Sequence, residues 1–343
     1  MKYLDKINPR TKEYFDVLEP EFPEWILDYI ETKELLMQQH IGVNCGTIYS
    51  KLYDLDYWFS SLDHSIAVAL IIWHFTRDKK QTLAGLFHDI ATPVFKHCVD
   101  FMNGDHETQE STEEQTEKII SESKEIMRLL KRDGIEIDDV DDYQNYPIAD
   151  NNTPQLSSDR LEYSLSNALF AYKLLPIEDI KNIYEDIEVQ KNEHGEIELG
   201  FKTKSIARKF TKTVCKLSVI YRQNKTRFSM QFLADLLKRM RDDGLISVDD
   251  LYQKTEAEVI DIINSSKYAK VFEIWRNAKR VRTSENAPNG VYFVHCKTKV
   301  RYIVPLVCGK RISEICKTTK KAIEKCLDVD MTKFICIPKI KKF

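Results

Sequence analysis

Glycine and proline are scarce in this chain, with 10 of each among 343 residues. A many-turned all-β fold needs more of both, so long helices are favoured. No uninterrupted apolar run is long enough to span a bilayer, so no membrane association is expected. The eight cysteines, at 45, 98, 215, 296, 308, 316, 326 and 336, include no Cys-x-x-Cys pair. The opening Met1-Lys-Tyr-Leu-Asp-Lys6 has no secretory pattern. Reduced thiols in a cytoplasmic protein are the expectation. A strong net charge is also lacking. The formal value of −3 does not point to an obligate nucleic-acid binder.

Apolar residues make up 43% and charged residues 31%, enough for a packed core under a polar surface. The length suits one large domain plus an appendage, or two domains. Charge is unevenly placed. Residues 99–150 hold 16 acidic and 5 basic side chains, and residues 297–343 hold 13 basic and 4 acidic. A solvated acidic loop and a basic surface explain this. So does an electrostatic contact between the two segments, within one chain or in a homo-oligomer.

Pro23 to Met37 has helical apolar spacing. Ser65-Ile-Ala-Val-Ala-Leu-Ile-Ile-Trp73 is apolar nearly all round, which places it at the centre of a helical core. Residues 80–90 predict a second core helix, Val94 to Met102 a short third, and Glu107 to Lys131 a longer polar one. Asp159 opens another that runs until Pro176. Ile187–Lys191 and Glu196–Gly200 flank Asn192-Glu-His-Gly195 and predict an exposed β-hairpin. Helices resume over about 203–280, with a capping box at Thr255-x-x-Glu258. Val291–His295, Val300–Val304 and Phe334–Ile337 are β-rich, with a helix between them at Ile312–Leu327. The expected fold is mainly α, a helical bundle with a β-hairpin insertion and a small α+β C-terminal appendage. Its expected parts are an N-terminal helical segment (1–45), a helical domain (46–284, motif core 58–175) and the appendage (285–343).

The chemistry concentrates in Leu83-Ala-Gly-Leu-Phe-His-Asp-Ile-Ala-Thr-Pro93. His88-Asp89 closes one core helix, His64 opens the one before it, and Asp159 opens a later one. A lone His on an apolar helix is more often a core residue than a ligand. Here, antiparallel helices with short connections can bring all three ends together. Two neutral imidazoles and two carboxylates suit a divalent metal that activates water and binds phosphate oxygen. His74 faces another side of its helix and reads as structural. Arg222, Lys225 and Arg227 read as a solvated helix end, or as a distal phosphate contact if that region folds over the site.

The order His, His-Asp, Asp, each in a helical context, resembles the HD superfamily of metal-dependent phosphohydrolases. His88-Asp-Ile-Ala-Thr-Pro-Val-Phe-Lys-His-Cys-Val-Asp100, His106-Glu107 followed by Ser111, and Ser158-Asp-Arg-Leu-Glu-Tyr163 resemble its deoxynucleoside triphosphate triphosphohydrolase branch. The resemblance covers roughly residues 45–175. It implies His64, His88, Asp89 and Asp159 as ligands to one divalent ion, with Fe, Mn, Ni, Zn and Mg not distinguished. It implies His97, Asp100 and His106 for proton transfer and phosphate contact, and Arg160 and Tyr163 for phosphate binding. A second metal on His97, His106 and a shared Asp89 is the dinuclear alternative. The implied substrate is a phosphate ester or anhydride, most naturally of a nucleotide. Two departures stand out: Thr92 where the branch has a His, and Ser61 where it has an Arg. Loss of an imidazole and a guanidinium is expected to weaken triphosphate release. It also leaves open a regulatory module that binds metal and nucleotide without efficient chemistry.

Overall fold

The computed structural model describes residues 2–109 and 115–342, and it is mainly α with a small β part. The helices that position the site are α1 (Pro9–Leu18), α2 (Ser61–Thr76), α3 (Lys79–Phe87), α4 (Cys98–Asn103), α5 (Lys124–Asp133) and α6 (Ser158–Ser166). Beyond them come α7 (Ile177–Glu185), α8 (Lys204–Tyr221), α9 (Asn224–Asp242), α10 (Glu256–Asn264), α11 (Ala269–Arg276) and α12 (Lys317–Leu327). The strands are β1 (Ile187–Lys191), β2 (Ile197–Phe201), β3 (Arg282–Ser284), β4 (Phe293–Val294), β5 (Leu306–Val307), β6 (Lys310–Arg311) and β7 (Phe334–Cys336).

Helix α2 is the central rod. Ser60 Oγ accepts from Asp63 N at 3.0 Å, and an Asp63 carboxylate oxygen accepts from Ser60 N at 2.7 Å. This reciprocal cap fixes the first turn, which carries His64. Residues 61–72 of α2 are all buried, as the all-round apolar pattern predicts. Helix α3 lies close against it, which Gly85 permits, since a Cβ there would clash with Ile72 Cδ1.

Two apolar cores flank the site. The first gathers Tyr14, Leu62, Ile66, Phe87, Leu161 and Leu165. The second gathers Phe95, Phe101, Phe232, Leu236, Phe272 and Trp275. The hairpin β1–β2 forms at the expected place, with Val189 opposite Leu199, but it is not exposed: residues 198–201 are buried and β2 also pairs with β5. The capping box at Thr255 is present, with its Oγ1 accepting from Glu258 N at 3.2 Å.

Several elements differ from expectation. The polar stretch after residue 107 is no single helix. Thr116–Glu122 and α5 are separate, and Ser123 caps α5 by accepting from Ile126 N at 3.3 Å. Ser111 lies outside the described residues. Val300–Val304 is not a strand, because Val304 N spends its hydrogen on Pro154 O at 2.8 Å. The strand comes at β5, which runs parallel to β2 with Gly200 opposite Leu306. The expected helix over 312–327 breaks at Cys316, whose extended backbone separates Ile312–Ile315 from α12.

The C-terminal α+β part is woven into the helical body rather than hung from it. Ile303, Ile312 and Ile323 join the first core, and Val294, Ile335 and Ile340 join the second. Arg222 and Arg227, at 1% and 0% exposure, staple this stretch down. Arg222 donates to the carbonyls of Cys326 and Leu327. Arg227 donates to Cys296 O at 2.6 Å and Met331 O at 2.8 Å. They therefore form neither a solvated helix end nor a phosphate contact. Lys225 donates to Leu52 O and stands over the Tyr53 ring.

Glu256 opens α10 inside the second half of the molecule and accepts from Gly42 N at 3.0 Å. Burial pushes its carboxyl up to about 7. The folded state therefore holds this proton at pH values where the unfolded chain has lost it. That contribution to stability is fully present below the unfolded value and declines as pH rises through about 7. Glu256→Gln should flatten the dependence between about pH 4.5 and 7 and stabilise the protein at pH 8 by about 1–3 kcal/mol. Urea midpoints at pH 5 and pH 8 check this. An unchanged difference between the two pH values would remove Glu256 as its source.

Candidate metal centre

Three helix ends deliver the site. The α2 cap sets His64, the C-terminus of α3 sets His88 and Asp89, and the first turn of α6 sets Asp159. Ser157 caps α6 by accepting from Arg160 N at 3.3 Å. The two imidazole Nε2 atoms are 3.2 Å apart. Asp89 Oδ2 stands 3.8 Å from each of them. Asp159 Oδ1 stands 3.2 Å from His64 Nε2 and 3.8 Å from His88 Nε2. Donors about 2.1 Å from one ion stand about 3.0–3.4 Å apart, so these spacings come within a small adjustment of coordination. Among the described residues, His64, His88 and Asp89 form the group of ligand atoms all within 4.8 Å of one another.

The tautomers also fit. His88 Nδ1 lies 2.7 Å from the carbonyl of Gly85, which can only accept, so Nδ1 carries the hydrogen and Nε2 keeps its lone pair. His64 Nδ1 bonds the fully buried Glu162, which orients that ring in the same way. A carboxylate or carbonyl behind each imidazole is the usual support of a metal-ligating histidine.

The electrostatics favour a cation. Burial alone would lower the His64 pKa, but Glu162, then Asp159 and Asp89, push it up to about 10. Burial alone would raise Asp159, but His64 and His88 hold it at about 2. Asp89 is held well below the usual carboxylate range, against burial, by Lys96, His88 and His64. Among the described residues His64, His88 and Asp89 therefore have the spacing to hold a divalent ion, while Asp159, close to both imidazoles, lies outside that group, and His64 must release a proton for its Nε2 to bind.

Sequence reasoning passed over Lys96, Glu162 and Arg301. Lys96 is buried and has a left-handed backbone, with φ 45° after Phe95 at 61°. This brings its Nζ to 2.5 Å from Asp89 Oδ2 and 3.4 Å from Ser61 Oγ. A cation absent at position 61 is thus present in the same neighbourhood, from position 96. Glu162 lies three residues after Asp159, on one face of α6, and that spacing was its signal. Arg301 reaches the cavity from the C-terminal stretch. Its Nη2 lies 2.9 Å from Gln109 Oε1 and 3.3 Å from His97 Nε2. Only the basic charge of residues 297–343 hinted at it.

Of the other candidates, His97 and Tyr163 line the cavity, which measures about 740 Å³. His97 Nδ1 is 2.9 Å from Asp100 Oδ2, and Asp100 is fully buried behind it. Arg160 also lines the cavity, but Nη1 donates to Asn151 Oδ1 at 2.7 Å and Gln155 O at 3.1 Å. Its Nη2 donates to Asn151 O and stands 3.6 Å from Asp150. The Arg160 fork therefore holds the 150–155 loop rather than opening to a phosphate. His106 is not among the lining residues, and its Nε2 pairs with Gln231 Oε1 at 2.9 Å. Among the described residues the structure does not assemble His97, His106 and Asp89 into a second metal site: His106 turns to Gln231, and Lys96 sits on Asp89 Oδ2. Thr92 does not line the cavity either. Residues of the two segments touch through neutral hydrogen bonds, Lys299 N to His106 O at 3.1 Å and Gln109 Nε2 to Thr298 Oγ1 at 3.1 Å.

Glu162→Gln should lower metal affinity about 10–100-fold without removing any ligand, because the group behind the His64 ring loses its charge. Chelator competition with Mn²⁺ or Zn²⁺ measures this. Equal affinity in the variant would leave Glu162 a packing residue.

No protein-family model matches the chain. It is similar to YdhJ of Bacillus subtilis (strain 168), an uncharacterized protein, at 24% identity over 248 residues, or 71% of this chain and 73% of YdhJ. It shares its fold with a hypothetical protein of known crystal structure from Aquifex aeolicus, with a TM-score of 0.63 over 91% of each chain and 18% identity.

Proposed function

We propose that the chain is an HD-type metal-dependent phosphohydrolase that acts on a phosphate ester or anhydride of a nucleotide. One observation carries the reading: His64 and His88 Nε2 stand 3.2 Å apart with Asp89 Oδ2 3.8 Å from each and Asp159 Oδ1 beside both, delivered from three helix ends. When bound there, a divalent ion supplies Lewis acidity toward a phosphoryl oxygen and toward water.

The chain's own residues supply the rest. His97 donates from Nδ1 to buried Asp100, and its Nε2, on the cavity wall, accepts from Arg301 Nη2 at 3.3 Å. Burial lowers its pKa, partly opposed by Asp100, and Arg301 and Lys96 lower it further. A neutral imidazole at neutral pH can accept a proton during the reaction, which is the role given to His97. Asp100 positions that ring. Lys96 and Arg301 provide positive charge on the cavity wall for phosphate oxygens. Tyr53, Tyr172 and Tyr221 line the same cavity and add aromatic surface to its wall, as a planar base requires.

The competing reading is a regulatory module that binds metal and nucleotide without efficient turnover. The Lys96–Asp89 contact favours it, because an ammonium already sits on a ligand oxygen. So does Thr92, which brings no imidazole.

A panel of nucleoside mono-, di- and triphosphates with Mn²⁺, Ni²⁺, Fe²⁺ or Mg²⁺ separates the two. The hydrolase reading expects phosphate release that vanishes on chelation. His97→Ala should then cost about 10²–10⁴-fold in rate with metal retained. Demonstrated metal binding with no turnover across the panel would establish the module instead.

A further inference from the structure

The cavity carries four cationic side chains that could meet an anion: Lys96, Arg160, Lys299 and Arg301. They differ in what already occupies them. Lys96 is paired with Asp89. Arg160 has Nη1 and Nη2 engaged by the 150–155 loop and stands beside Asp150. Lys299 has a further interaction. Arg301 is held differently. Both of its hydrogen-bond contacts leave from one nitrogen, Nη2, and both go to neutral groups, His97 Nε2 and Gln109 Oε1. The Tyr163 ring lies 5.8 Å from its guanidinium carbon. Among the described residues no carboxylate neutralises it, and Nη1 and Nε carry no described bond.

The placement is built rather than incidental. Buried Arg227 grips the carbonyls of Cys296 and Met331. Thr298 and Lys299 are tied to Gln109 and His106. Val304 N is tied to Pro154 O. The loop bearing Arg301 is thus anchored on both sides of that residue, and its guanidinium is fixed beside His97.

We infer that Arg301 is the phosphate clamp of this cavity, delivered from the C-terminal stretch 204 residues away from His97 in sequence. This rests on the reading that the cavity takes a phosphate. Both bidentate forks of a guanidinium include Nη2, so a phosphoryl group that displaces the neutral Gln109 from Nη2 takes two oxygens across Nη2 and either Nε or Nη1. In that position the clamp also sets the phosphate beside His97, the group assigned to the proton. The charge missing at Ser61 and the donors that Arg160 spends on its own loop are both made good from the far end of the chain. Arg301 is a binding and positioning residue, and no proton passes through it.

The test uses inorganic pyrophosphate and the full-length, metal-free protein, so that metal loading does not enter the readout. Isothermal titration calorimetry compares wild type with Arg301→Met and Arg301→Lys. Loss of a charge-assisted bidentate contact should weaken pyrophosphate binding about 10–100-fold in Arg301→Met. Arg301→Lys should keep the charge, lose the fork and fall between the two. Far-UV circular dichroism confirms that each variant is folded. Should Arg301→Met not fold, Arg301→Lys against wild type decides alone. Pyrophosphate bound equally by wild type and a folded variant would overturn the clamp. The hydrolase reading fails separately. A chain that loses pyrophosphate with Arg301 yet hydrolyses no nucleotide keeps the clamp and loses the hydrolase. A chain that hydrolyses nucleotides with unaltered pyrophosphate binding in the variants does the reverse.

Discussion

A concentration of negative charge around two imidazoles, fully buried at Glu162 and half-buried at Asp89 and Asp159, governs this molecule. Asp89, Asp159 and Glu162 all lie within reach of His64. Carboxylates removed from water are costly unless a cation compensates them. The imidazole of His64 is drawn toward protonation for that reason, and Lys96 leans onto Asp89 for the same reason. A divalent ion would satisfy the same demand with more charge at one point. The helix architecture follows from this need: α2, α3 and α6 turn three capped or closing ends toward one place.

The site lies where two cores adjoin, and the C-terminal stretch belongs to both. Apolar residues between 303 and 326 complete the first core, and Tyr292, Val294, Ile335, Ile337 and Ile340 complete the second. Arg222 and Arg227 are buried because they answer carbonyls of that stretch, which would otherwise lack partners. Fastening the stretch there holds the loop with Lys299 and Arg301 against the cavity. A segment that looks like an appendage in sequence is therefore part of the wall.

The features legible in the sequence were those with a local cause. All-round apolarity marked α2, alternation around Asn192-Glu-His-Gly195 marked the hairpin, and the Thr255 box marked the start of α10. The His64, His88 and Asp89 group was legible because each sits at a helix end that its own neighbours define. What could not be read was set by long-range partners. Ser123 and Cys316 break stretches whose apolar spacing looks continuous, and Val304 leaves the strand pattern to bond Pro154. Arg160 carries the right chemistry for phosphate, but the 150–155 loop, folded back beside it, claims its donors. His106 has motif-like spacing, yet it turns to Gln231, 125 residues on. Lys96 is a single letter beside His97, and its entry into the site depends on two successive left-handed residues that no periodicity reveals.

Anomalous diffraction from crystals of the metal-loaded protein, recorded at the absorption edge of the added ion, tests the central claim most directly. The account predicts one strong peak, bonded by His64 Nε2, His88 Nε2, Asp89 and Asp159, with Glu162 behind the His64 ring and no second peak beside His97. A peak that lacks any of these four ligands, or saturating metal with no peak between the helix ends, would contradict it.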